Sequence, residues 1–350
     1  MLVALACRSV TPGAPPADPR LTADGLVLRD FDSLSWDGIG RDAVPLPPAI
    51  AAAVAEDRRL RFRDRARFRD EVLSESRRLG VDPEGVAALS PREAVVHAVD
   101  VVTSRLEFAL VDSPEFAEKY PARLFPDVDV YFHEREGDCD KYRDLVIAVF
   151  DLFRERSPAR LGNVHVVSQA FGGRDEPHAW NAVLLAFPDR IEVAHFDPTW
   201  YDGGASLEGG AEHVSSATFR ASFLTRVGAL EDALAEIGRA MRKVDRWTRG
   251  ALLAKKAAIE LRLAESGRGS FDAVLKTYSL ALVEEHDGVY SRHFDRILAS
   301  AVRAYAALGR NAAARRTFDR LERTYPRSVF RAVLVRDRSL ARVLGPSSQR

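Results

Sequence analysis

The chain is predicted to be α+β, a sheet-bearing core followed by an all-helical region. Two observations carry this. Three strand-like segments crowd into residues 163–197, with helical apolar periodicity on both sides, and from about residue 215 the pattern is helical and repetitive. At 350 residues the chain exceeds the ~100–200 usual for one domain. The expected division is a leader and linker over 1–45, a mixed core over 46–212 and a helical domain over 213–345.

The first 48 residues scatter seven prolines, from Pro12 to Pro48, around one short apolar patch, "GLVLRDF", and read as a linker with one strand. At the extreme N-terminus, "MLVALAC" followed by the polar, Pro-rich "RSVTPGAPPADP" resembles the tail of a bacterial lipoprotein signal whose cysteine, here Cys7, receives the lipid. The basic region of such a signal is missing, as a start placed too far downstream would leave it. An untargeted terminus is the alternative. The first reading implies an extracytoplasmic, lipid-anchored protein, and the second a cytoplasmic one. Acylation of Cys7 would leave Cys139, the other of the two cysteines, with no disulfide partner in the chain.

Between 49 and 108 the pattern turns helical. In "SPREAVVHAVDVVTSRLEF", Ser90 is an N-cap, Pro91 takes the first helical position and Glu93 completes a capping box. Ala94, Val95, Ala98, Val101, Val102 and Leu106 then recur at helical spacing. A second helix is expected over 139–155, with Leu145, Val146, Val149, Phe150 and Phe153 as its buried stripe. Cys139 opens it, where unpaired N–H groups and the positive end of the helix dipole favour an anion.

The strand-like segments are "NVHVVSQAF" (163–171), "HAWNAVLLAF" (178–187) and "RIEVAHFD" (190–197). Pro188-Asp189 suggests a hairpin joining the last two, with Phe187 opposite Arg190. His178, Trp180, Ala182 and Leu184 then share a face with Ile191, Val193, His195 and Asp197, and Asn181 faces away from His178. This puts His178 opposite Thr199 and diagonal to Asp197, where imidazole and carboxylate can meet; one bulge would reverse the parity.

Lys+Arg and Asp+Glu both total 51, and 46% of residues are hydrophobic. The balance gives no sign of a nucleic-acid partner, and no apolar run approaches the ~18–20 residues of a spanning helix. Cys139 in "GDC", His178 in "HAWNAV" and Asp197 in "DPTW" occur in that order. Each alone has a plainer reading: a small buried hydrophobe, a structural histidine, a turn. Together they resemble the three motif blocks of the transglutaminase-like superfamily, a papain-related fold of thiol enzymes. The resemblance covers about 90–205, with "TSRLEF" similar to the segment that usually precedes the cysteine block.

The resemblance implies a papain-like core with an antiparallel sheet, no cofactor, and a protein or peptide substrate. Cys139 would attack an amide carbonyl, His178 would move the proton and Asp197 would hold the imidazole. The thioester would pass to water or to an amine. Trp180 would wall the cleft. The family commonly has a small residue where this chain has Arg143, and no upstream Trp or Gln identifies a second oxyanion donor beside the Cys139 N–H. A zinc site of His133, Cys139 and His178 lacks any supporting spacing, so no metal is expected.

Three later segments share one template: "GALEDALAEIGRAM" (228–241), "SFDAVLKTYSLAL" (270–282) and "GRNAAARRTFDRLERTYP" (309–326). In the third, Gly309, Ala314, Phe318 and Pro326 are spaced as in a tetratricopeptide repeat. The units recur roughly every 40 residues rather than about 34, resembling a degenerate array that would dock a protein partner. An ordinary helical bundle is the alternative. At the level of function, the alternative to the enzyme is a catalytically inactive scaffold that binds proteins through these helices.

Overall fold

A five-stranded mixed sheet lies between two sets of helices, so the class is α+β as expected. The computed structural model describes residues 20–21, 25–108, 127–171, 178–200, 216–242, 246–284, 291–326 and 328–344. Cys7, and with it the expected lipid anchor, lies outside the described residues.

The strands are β1 (Arg20–Leu21), β2 (Leu26–Leu28), β3 (Glu107–Phe108), β4 (Glu136–Gly137), β5 (Val164–Phe171), β6 (His178–Ala186) and β7 (Ile191–Phe196). The main sheet has the order β1-β2-β7-β6-β5, and β3 with β4 forms a separate parallel pair. The β6–β7 hairpin has the expected register, from Ala186 opposite Ile191 to Asn181 opposite Phe196, and is closed by Phe187 N–H donating to Arg190 O at 2.9 Å. The sheet departs from the expected antiparallel arrangement at one place: β2 joins β7 in parallel. β2 reaches the sheet from far up the chain, where no tight turn dictates direction.

The segment expected to be linker is part of the core from Leu26 onward. Phe31, Leu34 and Trp36 are buried, and Glu192, fully buried on β7, accepts from Ser35 N–H at 2.8 Å and Ser35 O–H at 3.0 Å. Burial alone would raise the Glu192 pKa; the Ser35 donors, Arg190 and Arg29 outweigh it and hold the carboxyl below its ordinary range. The Asn163 amide donates to Gly40 O and Asp42 O and accepts from Val44 N–H, which fastens the next stretch.

The helices of the first part are α1 (Pro48–Asp57), α2 (Arg65–Arg78), α3 (Pro83–Ala88), α4 (Pro91–Thr103), α5 (Val128–Glu134), α6 (Cys139–Arg156) and α7 (Pro158–Leu161). The capping box at Ser90 and Glu93 is formed. All five residues of the expected α6 stripe are buried, and they share one apolar cluster with α4, Val164, Val166, Val183, Leu185, Ala194 and Phe196. β5 lies at the edge of the sheet, and its outward backbone is protected at Ser168. Asp57 accepts the Ser168 N–H at 2.8 Å, while Arg226 donates to the Ser168 carbonyl and pairs with Asp57 through both nitrogens, at 2.7 and 2.8 Å.

From residue 216 the described chain is helical: α8 (Ser216–Val227), α9 (Leu230–Ala240), α10 (Arg246–Glu265), α11 (Phe271–Glu284), α12 (Ser291–Ala307), α13 (Asn311–Thr324), α14 (Val329–Arg336) and the short α15 (Ala341–Leu344). α8 and α9 cover the second face of the sheet, in one cluster with Ala182, Leu184, Ile191 and Val193. The three template segments become α9, α11 and α13, with Ala233, Val274 and Ala314 buried at the equivalent positions. Gly309, at φ 68°, ends α12: Arg310 N–H reaches back to Tyr305 O at 2.8 Å, a Schellman cap that favours glycine.

Three buried bases tie stability to pH. Burial, with Arg58 and Arg154 nearby, pushes the His165 pKa from 6.5 down to about 3. Burial and Arg220 push His195 from 6.5 to about 3, and burial and Arg296 push Lys255 from 10.5 to about 7. In each window the unfolded chain binds protons that the native state refuses. Stability therefore rises with pH between about 3 and 6.5 through the histidines, and between about 7 and 10.5 through Lys255. Urea unfolding from pH 7 to 10 should show wild type gaining on Lys255→Met by up to ~1 kcal/mol per pH unit. Parallel profiles for the two proteins would contradict a neutral buried Lys255.

Candidate active site

Cys139 is the first residue of α6, half-buried, and follows Asp138, whose carbonyl accepts the first helical bonds from Lys141 and Tyr142. The chain reaches it through a tight path. Arg135 ends α5 at φ 64°, the one positive-φ non-glycine among the described residues, and its carbonyl accepts Glu107 N–H at 2.8 Å across the β3–β4 pair. Tyr142 O–H donates to Leu106 O at 2.8 Å, so the first turn of α6 is bonded to the chain leaving α4. Gly137 fits this crossing because it lacks a side chain: a Cβ would stand 2.8 Å from Lys141 Cβ and 3.2 Å from Leu106 Cδ2.

Arg143, one turn past the cysteine, is 16% exposed and lies between carboxylates of its own helix, Asp140 at 3.0 Å and Asp144 at 2.8 Å. Burial alone would lower its pKa; the two carboxylates more than offset this and raise it. The cation is therefore fixed along the helix. Its backbone carbonyl accepts the side-chain amide of Asn181 at 3.1 Å, which joins β6 directly to the first turns of α6.

That bond defines the two faces of the hairpin. Asn181, Val183, Leu185, Ala194 and Phe196 lie toward α6, and Ala182, Leu184 and Val193 lie toward α8 and α9. Trp180, fully buried, donates from its indole N–H to His195 Nδ1 at 3.3 Å. It presents no surface to solvent. His195 Nδ1 accepts because the ring is neutral, its pKa held at about 3.

Asp197 is buried just beyond β7, and its Oδ1 accepts Thr199 N–H at 3.0 Å. The 3-10 turn that follows, Pro198–Trp200, packs against α6 and α4. His178 opens β6 opposite Phe171, and its side chain lies outside the described residues. His133 is on α5, where its ring contacts Arg67 and, at 3.1 Å, Glu71. Among the described residues no group of three or more His, Cys, Asp or Glu is arranged to hold a metal ion.

Sequence reasoning attached no role to Asn181 or Phe108. Asn181 stood in the "HAWNAV" block only as a residue expected to face away from His178, and its buried Oδ1 has no hydrogen bond in the structure. Phe108 stood only as the last residue of "TSRLEF", the segment likened to the one that precedes the cysteine block; the structure sets it opposite Gly137 with 54% of its surface exposed.

Searches of protein-family models, curated proteins and solved structures return no match to this chain.

The crossing at Gly137 is testable. Gly137→Ala must push Lys141 or Leu106 aside and should cost about 1–3 kcal/mol in chemical unfolding. An unchanged midpoint would show that the contact relaxes freely.

Proposed function

We propose that the protein is a cysteine-dependent acyltransferase or hydrolase of protein or peptide amide bonds, with a transglutaminase-like core and Cys139, His178 and Asp197 as its triad. The observation that carries the reading is the meeting of three distant segments. α6, headed by Cys139, packs on the sheet whose β6 begins at His178 and whose β7 leads into Asp197, and the Asn181 amide bonds to Arg143 O beside the cysteine turn.

In this reading the Cys139 sulfur attacks the amide carbonyl after passing its proton to the His178 imidazole. The oxyanion that forms is held in part by the backbone N–H at the start of α6. The C–N bond then breaks, the imidazolium gives its proton to the departing amine or ammonia, and a thioester remains. Water or an amine, deprotonated by the same imidazole, attacks the thioester and frees the thiol. Asp197 orients the ring and stabilises its charged form. Alternation gives position 178 the parity of Trp180, away from α6, so this reading requires the chain at His178, the first residue of β6, to twist out of the strand pattern and bring the ring to the α6 side.

The helices from α8 onward serve as a tetratricopeptide-like array that docks a protein partner. Their support is the recurrence of buried small or branched residues at one position of α9, α11 and α13. A second reading, a catalytically inactive scaffold that binds proteins through these helices, draws on Arg143, a large cation one turn from the sulfur.

Alkylation separates the two. With the label quantified at Cys139 by peptide mapping near pH 7, the enzyme reading expects iodoacetamide to react about tenfold faster than with free cysteine. His178→Ala should remove most of that advantage. Reaction at the rate of free cysteine would favour the scaffold.

A further inference from the structure

β3 and β4 pair in parallel, with Glu107 opposite Glu136 and Phe108 opposite Gly137. Glu107 N–H donates to Arg135 O at 2.8 Å. In a parallel ladder one residue directs both its N–H and its C=O to the same neighbour strand, and the next residue directs both to the opposite side. Glu107 thus serves β4, and the N–H and C=O of Phe108 point to the outer edge. The ring of Phe108 is 54% exposed, whereas the adjacent Leu106 is buried beneath Gly137. Across from Phe108, Gly137 offers no side chain to cover the ring, and Cys139 follows two residues later.

We propose that Phe108 is the acyl-donor recognition residue: an extended peptide pairs with the outer edge of β3 through the Phe108 backbone and rests an apolar side chain on its ring, next to the amide presented to Cys139. The inference builds on the thiol-enzyme reading above and narrows its substrate class to extended segments with an apolar residue near the reacting carbonyl. Continuity with the cysteine turn favours this occupant. The same strand supplies outward backbone groups, an uncovered aromatic ring and, through its ladder partner, the chain that leads into the nucleophile. Backbone pairing gives such sites affinity, and the side-chain contact gives them selectivity.

Peptidyl chloromethyl ketones test this on the full chain, with labelling quantified at Cys139. Acetyl-Leu-Leu-Gly chloromethyl ketone is compared with the Ser-Ser-Gly analogue, each rate being divided by the same protein's iodoacetamide rate. Wild type should prefer the leucine probe by about tenfold, the discrimination typical of an apolar contact. Phe108→Ser should bring the ratio to within about twofold, and Phe108→Leu, which keeps an apolar surface, should retain most of it. Equal rates for the two probes on wild type, or a preference that survives in Phe108→Ser, overturns the inference while leaving the thiol chemistry standing. Iodoacetamide reaction no faster than with free cysteine overturns both, so the two failures are told apart by different reagents.

Discussion

The packing of α6 against the sheet is the constraint from which the rest follows. Leu145, Val146, Val149, Phe150 and Phe153 bury the helix between α4 and the inner faces of β5, β6 and β7. A helix held along so much of its length has little freedom to slide or roll, because its side chains interlock with those beneath. The position of its first residue is then a property of the whole core. Tyr142 and Gly137 refine that position locally, and the Asn181 amide transmits it to the strand that begins at His178.

Charge is handled in the same interior manner. The chain is neutral overall, yet several carboxylates and guanidinium groups are withdrawn from water in pairs. Asp57 with Arg226 closes the edge of β5, Glu192 binds the N-terminal segment, and Asp144 pairs with Arg143, whose other partner, Asp140, stays half exposed. Each such ion is tolerated because its hydrogen bonds are supplied by named partners; removing one partner would strand the other. The Asp57–Arg226 pair fastens β5 to α1 and α8, and α8, α9 and part of α10 share a core with the sheet.

Much of this was legible in the amino-acid sequence wherever the signal was local. The capping box at Ser90 and Glu93, the apolar stripe of α6 and the Pro188-Asp189 hairpin with its register all depend on residues close in the chain. The parallel addition of β2 to β7 was not legible, since three apolar residues near the N-terminus carry no mark of their partner. Nor was the role of Asn181, because alternation shows that a residue faces one side of a sheet but does not reveal which helix waits there. Glu192, a carboxylate within an apolar strand, gave no sign that Ser35 and Arg29 would come to meet it.

The proposed triad needs sulfur, imidazole and carboxylate in one hydrogen-bonded line, and the orientation of a single ring decides whether they form it. A crystal structure that resolves His178 should show one ring nitrogen within hydrogen-bonding reach of Cys139 Sγ and the other on the Asp197 carboxylate. A ring lying on the Trp180 side of the sheet, with β6 between it and the sulfur, would contradict the account.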